Sequence, residues 1–141
     1  HVRQKLGLHE QDRVIKIDRL RSVNGSVIVF VQTYIPSFLC PTLLDTDLSS
    51  GSLYAALRDQ AGLAVVTGMR VVEAVLATSP MTTFLEVKKG SPLLKIESIS
   101  FLADGRPLEY YEAWHRADRS KIEIEITAPA VPGLPYMAEI P

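Results

Sequence analysis

A carboxylate, a phenol and an imidazole recur at even spacing in Leu108-Glu109-Tyr110-Tyr111-Glu112-Ala113-Trp114-His115-Arg116. In an extended chain successive side chains point to opposite faces. Glu109, Tyr111, Ala113, His115 and Ala117 then share one side, and Leu108, Tyr110, Glu112, Trp114 and Arg116 the other. The first side carries more polar chemistry than a core strand needs, which makes it a candidate ligand wall. Glu109 would accept from hydroxyl or amino groups, and His115 would donate or accept near neutral pH. Two guanidiniums follow the same period. Between Arg13 and Arg21, the residues Ile15, Ile17, Arg19 and Arg21 fall on one face that begins aliphatic and ends cationic. Packed on a core, that face calls for a phosphate or carboxylate to meet its donors. Ser52 adds a hydroxyl at a helix start whose free N–H groups favour an anion. Tyr54 lies beside that helix's apolar stripe, within reach of a cavity edge.

Each of these residues also has a plainer use. Arg19 and Arg21 suit surface carboxylates such as Glu73 or Glu97. Glu109 and His115 suit cross-strand hydrogen bonds, and Ser52 a helix cap. Tyr110, Tyr111 and Trp114 suit core or interface packing, and Cys40, beside Phe38 and Leu39, a buried apolar position. Nothing points to a metal or cofactor: His1, His9 and His115 are scattered, and there is no nucleophile elbow or phosphate loop.

The elements that must position these groups are mostly strands. Val23-Asn24-Gly25-Ser26 reads as a hairpin turn between the Arg13–Arg21 strand and Val27–Ile35, which is apolar on both faces and so expected inside the sheet. Pro36 ends it. Ser37 can cap a short turn of helix through Phe38-Leu39-Cys40. Ser52 caps a helix running to Ala61, with Gly62 just past its end and Leu53, Leu57 and Ala61 as its stripe. Val65 to Thr78 is another strand, with Val71, Glu73 and Val75 on one face. Ser79-Pro80 opens a second helix through Phe84, Leu85 and Val87 to Lys88-Lys89-Gly90. Pro92–Ala103 pairs with the Glu109 strand through Asp104-Gly105. Ile122, Ile124 and Ile126 alternate with Lys121, Glu123 and Glu125 as a half-buried strand. The opening residues through Leu6 read as a helix end stopped by Gly7. Residues 1–127 form one domain, and the proline-rich 128–141 an extended tail. The fold class is α+β: a mainly antiparallel sheet with two or three helices covering one face.

Composition narrows the function classes. Among 141 residues, 47% are hydrophobic and 22% charged, and the net charge is −1. That describes a globular domain large enough to bury a core. It lacks the basic excess that phosphate backbones demand, so this segment alone is a poor DNA binder. No apolar run approaches the roughly 20 residues a bilayer crossing takes. A single cysteine, Cys40, and no visible signal peptide fit a reducing, cytoplasmic setting.

Five short motifs, taken in order and spacing, resemble one family. They are Ile17-Asp18-Arg19-Leu20-Arg21, Tyr34-Ile35-Pro36, Ser52-Leu53-Tyr54, Gly90-Ser91-Pro92-Leu93-Leu94, and Asp104-Gly105-Arg106-Pro107-Leu108-Glu109 leading to His115-Arg116-Ala117-Asp118-Arg119. Between about Leu6 and Ile126 the chain is similar to the UTRA domain. That is the effector-binding half of bacterial GntR-type transcription regulators of the HutC subfamily, with a chorismate lyase-like fold. The resemblance implies a small-molecule sensor, not an enzyme. It implies operator DNA as a partner through a separate winged helix-turn-helix absent from this chain, and a homodimer. It also implies that an early strand and a ligand-contacting loop of the family precede this segment. The family's anion-holding arginines match Arg19 and Arg21, its helix-opening serine and tyrosine Ser52 and Tyr54, and its glutamate Glu109. A position usually tyrosine is His115 here, the following glycine is Ala117, and an acidic position of some members is Val31. The effector expected is anionic and polar: a sugar phosphate, a carboxylate or a phosphonate. Two other readings stand beside this one. One is a chorismate lyase-like enzyme acting on a small carboxylate, with Glu109 and His115 as acid and base. The other is a pure dimerisation module, which predicts no pocket; Tyr110, Trp114 and Ile122 to Ile126 are the candidate contact surfaces for a dimer.

Overall fold

The computed structural model of the protein describes residues 1–125, so Ile126 and the expected tail at 128–141 lie outside them. Five strands form one sheet: β1 (Val14–Val23), β2 (Ser26–Pro36), β3 (Thr67–Leu76), β4 (Pro92–Phe101) and β5 (Pro107–Arg116). Their order is β1-β2-β5-β4-β3, and every neighbouring pair is antiparallel. Among the described residues, the last strand in sequence is therefore the middle one in space. Asn24 and Gly25, with φ of 49° and 79°, turn β1 into β2, the left-handed pair that the twist of a tight hairpin requires. β2 is an interior strand, as its two apolar faces predict.

Register divides the side chains cleanly. Ile15, Ile17, Arg19 and Arg21 sit beside Ile35, Thr33, Val31 and Val29 of β2. The row continues to Tyr111, Ala113 and His115 of β5, then to Ser98, Ile96 and Leu94 of β4, and ends on β3 with Arg70, Val72 and Ala74. Helix α2 (Leu53–Ala61) closes one end of this face, burying Leu53 and Leu57 against Ile15, Ile35 and Leu108. Its ends follow the sequence: Ser52 Oγ accepts from Ala55 N–H at 3.3 Å, and Gly62 terminates it at φ +63°. A 3-10 turn at Pro41–Asp45 adds Leu43 to the same core. Helix therefore starts three residues later than Ser37 suggested, with Cys40 at the cap and Pro41 in a first-turn position.

The opposite face carries the other helices. Helix α1 (Val2–Lys5) and the residues after it place Leu6 against Tyr110 and Ile99, while helix α3 (Met81–Phe84) and Leu85 pack on Phe30 and Leu93. The expectation that all helices cover one face is thus corrected: they divide between both. Between α1 and α3 runs a polar stripe, with Lys5 bonded to Glu97 and Lys95 to Glu112 at 2.9 Å. Helix α3 is shorter than its sequence pattern, since Glu86 adopts φ +54° and turns the chain out of the helix. Lys88 and Lys89 consequently cap no helix end. The isoleucine alternation also misleads. Lys121–Glu125 joins no strand, and Ile122 and Ile124 are 43% and 74% exposed. Alternation shows which faces a strand would have, but a strand also needs a neighbour. Tyr110 is sealed inside its own chain, which removes it as a contact surface.

Candidate functional site

Beyond α2 no further helix or strand among the described residues covers this face, and its side chains line a trough. A hollow of about 220 Å³ is bounded by Arg19, Arg21, Thr33, Tyr54, Arg70, Glu109, Tyr111 and His115, over the small apolar floor of Val29, Val31 and Ala113. On the β1 side it opens past Arg19 and Arg21 into a space of about 380 Å³ walled by Leu48, Ser49, Ser50 and Gly51. On the β3 side it passes Tyr54 and Arg70 into about 580 Å³ beside Gly68 and Ser100. Gly68 lines that end, where an added Cβ would meet the Ile99 carbonyl oxygen of the neighbouring strand at 3.0 Å. A larger hollow of about 770 Å³ on the other side, between α1 and the start of β1, has no such convergence; Lys16, one of its cations, is held by Asp18 at 3.1 Å.

The centre of the trough is Glu109. Only 2% of its surface is exposed, and its carboxylate accepts one side-chain hydrogen bond, from the Tyr54 hydroxyl at 2.7 Å. Burial pushes its pKa up, opposed by the Tyr54 bond and by the guanidiniums of Arg19 and Arg70. The same pairing pushes the Tyr54 phenol up, burial first and the neighbouring carboxylate second. Tyr54 thus stays a neutral donor. Arg19 is pulled below the ordinary guanidinium range by burial and then by Arg21, but remains cationic at any working pH. His115 is lowered by burial alone, which leaves it neutral around pH 7.

Arg19 and Arg70 act on Glu109 at a distance, and the trough's arginines form no close ion pair among the described residues. Among the described residues, the arginines that bond a carboxylate are Arg58, Arg106, Arg116 and Arg119. Arg19, Arg21 and Arg70 are not among them. Glu73 and Glu97, the carboxylates once available to Arg19 and Arg21, lie on the opposite face in register with Lys95 and Val71. Among the described residues, two buried polar atoms also lack a hydrogen-bond partner: Arg19 Nε and the Thr33 hydroxyl, both on the trough wall. A buried donor left unpaired costs about 1–3 kcal/mol, so each of these groups needs a partner from outside the chain, water or ligand.

Of the six residues singled out in the sequence, Arg19, Arg21, Tyr54, Glu109 and His115 converge on this hollow. Ser52 does not: it caps α2, and the loop just before it, Ser49 to Gly51, faces Arg19 and Arg21 instead. Sequence reasoning missed Arg70 and Thr33, and placed Tyr111 on the candidate ligand wall without singling it out as a site residue. Arg70 had a signal, a lone cation between apolar neighbours on the face of β3 opposite Val71 and Glu73. Thr33 had none. Among the described residues no cluster of metal-ligating side chains is present, and no helix is long and apolar enough to cross a membrane.

The geometry can be set against known proteins. The sequence profile of the UTRA domain matches residues 1–121. The probable transcriptional regulator PhnF of Escherichia coli K12 is 33% identical over 127 residues, covering 89% of this chain and 52% of that protein. This chain thus spans about half the length of such relatives. A GntR-family transcriptional regulator from Enterococcus faecalis V583 superposes with a TM-score of 0.79 at 25% identity, covering 88% of both chains. PhnF from Mycobacterium smegmatis shares the fold at a TM-score of 0.85 and 21% identity, covering 90% of this chain and 56% of that one. The chain belongs to the UTRA domain family of GntR-type transcription regulators.

Proposed function

We propose that this domain is the cytoplasmic effector sensor of a transcription regulator, binding a small anionic, polar metabolite in the trough. The observation that carries the proposal is the gathering of guanidiniums without close ion pairs around one buried carboxylate, with Arg19 Nε and the Thr33 hydroxyl unpartnered among the described residues. Arg19 and Arg21 receive the anionic group, aided by the Ser49–Gly51 loop, while Glu109 and Tyr54 read hydroxyl or amino groups on the rest of the ligand. The effector changes DNA affinity by binding one arrangement of the regulator better than another. A winged helix-turn-helix elsewhere on the polypeptide makes the DNA contact, and two copies pair to match a palindromic operator. Light scattering tests the pairing.

The enzyme reading is weaker in three dimensions. Glu109 and His115 are six residues apart on β5, which separates their backbones by roughly 20 Å at about 3.3 Å per residue and disfavours a shared role as acid and base at one bond. Calorimetric titration of sugar phosphates, carboxylates and phosphonates is expected to yield a ligand recovered unchanged. Arg19→Ala should weaken it by roughly tenfold or more, the scale of one charge-assisted bond. Undiminished binding by that variant would overturn the assignment.

A further inference from the structure

The notable group left over is Arg70. It starts on β3, an edge of the sheet, and reaches back across β4 to hold its guanidinium 5.9 Å from the centre of the Tyr111 ring on β5. A cation over an aromatic face is held there by the ring quadrupole, so Arg70, although solvent-exposed, keeps its guanidinium on the trough side of the sheet as one of its lining groups. Arg19 and Arg21 approach from β1, the other edge. β1 and β5 are two strand spacings apart, roughly 10 Å at about 4.8 Å per strand. Two separate positive positions therefore face each other along one continuous trough, with the Thr33 hydroxyl and the Tyr54–Glu109 pair between them. Counting formal charges, three arginines against one glutamate leave the trough at +3 − 1 = +2, in a chain whose net charge is −1.

We propose that Arg70 is a second anion-holding position, and that the effector carries an acid group at each end, one on Arg19 and Arg21 and one on Arg70. The middle of such a molecule carries hydroxyl or amino donors, because Glu109 would repel a third acid and Thr33 needs a polar partner. This rests on the sensor function proposed above and adds the ligand's second charge to it. A monoanion would leave one guanidinium position unfilled. The alternative for Arg70 is to offset the charge of Glu109, and that role predicts a different response to its removal.

The test compares 3-phosphonopropionate with propylphosphonate, which has the same carbon count and no carboxylate. Calorimetric titration near neutral pH uses the wild-type chain, Arg70→Gln and Arg19→Gln, with thermal unfolding confirming that each variant is folded. The wild type should bind the two-ended acid roughly tenfold tighter than the alkyl phosphonate. In Arg70→Gln that preference should vanish while the affinity for propylphosphonate holds, and Arg19→Gln should weaken both probes. Equal binding of the two probes by the wild type overturns the second site and leaves the sensor function standing. So does an equal loss for both probes in Arg70→Gln, which would assign Arg70 to balancing Glu109. Binding of neither probe, or indifference to Arg19→Gln, overturns the sensor function itself.

Discussion

Removing the Tyr54 hydroxyl probes the trough with the least disturbance. Tyr54→Phe keeps the ring on α2 but deletes the donor that reaches Glu109 at 2.7 Å. A hydrogen bond to a charged group contributes about 1.5–3 kcal/mol, against about 0.5–1.5 for a neutral pair. Tyr54 is 43% exposed, so water partly replaces the donor and the lower end applies. The expected loss at pH 8 is about 1.5 kcal/mol, or roughly 5 °C in Tm for a domain of this size. In acid the cost should shrink. Glu109, already raised by burial and deprived of the bond that held it down, takes up a proton more readily in the folded variant. Protonated, it needs only a neutral partner, and the loss falls to about 0.5 kcal/mol. Thermal unfolding of both proteins between pH 4 and pH 8 measures this. A loss independent of pH, or none at pH 8, would refute a buried ionised carboxylate held by Tyr54.

Glu109→Gln should stabilise the free protein above pH 4.5. A carboxyl whose folded pKa is raised contributes its full stability below the unfolded value and loses it as pH rises through the folded one; denaturant unfolding at several pH values should show that slope removed, along with selectivity for ligand donors. His115 has the opposite sense. Its lowered folded pKa makes stability fall as pH drops below 6.5, and His115→Gln should flatten that decline in a pH series of Tm. Ser52→Ala should cost about 1 kcal/mol by removing the cap of α2, with ligand affinity unchanged, because Ser52 stands outside the trough; calorimetry and unfolding together separate the two effects.

Much of this site was written in period-two spacing. Glu109, Tyr111 and His115, and likewise Arg19 and Arg21, share a face because a pleated strand alternates, and both strands kept their register. Residues closer to a helix start were harder. Ser52 and the Ser49–Gly51 loop have similar chemistry, and only the path of the chain decides which side meets Arg19. Arg70 was lost for another reason: its strand is one place in sequence and the far edge of the sheet in space, and nothing local reveals that it faces β1 across the trough. The isoleucines at 122 and 124 show the converse failure, a clear local pattern with no neighbour to satisfy it.

The central place of β5 also dictates the order in which the molecule can be assembled. β1 and β2 zip as one local ribbon, and β3, β4 and β5 as a second, but the seam that joins them pairs Val29 with His115, 115 − 29 = 86 residues along the chain. Closing so long a loop is slow compared with forming either ribbon. During synthesis Arg19 and Arg21 emerge early and wait, and the recognition cradle comes into being only when β5 docks. A truncation that removed β5 would abolish the cradle entirely while leaving most of the sequence intact.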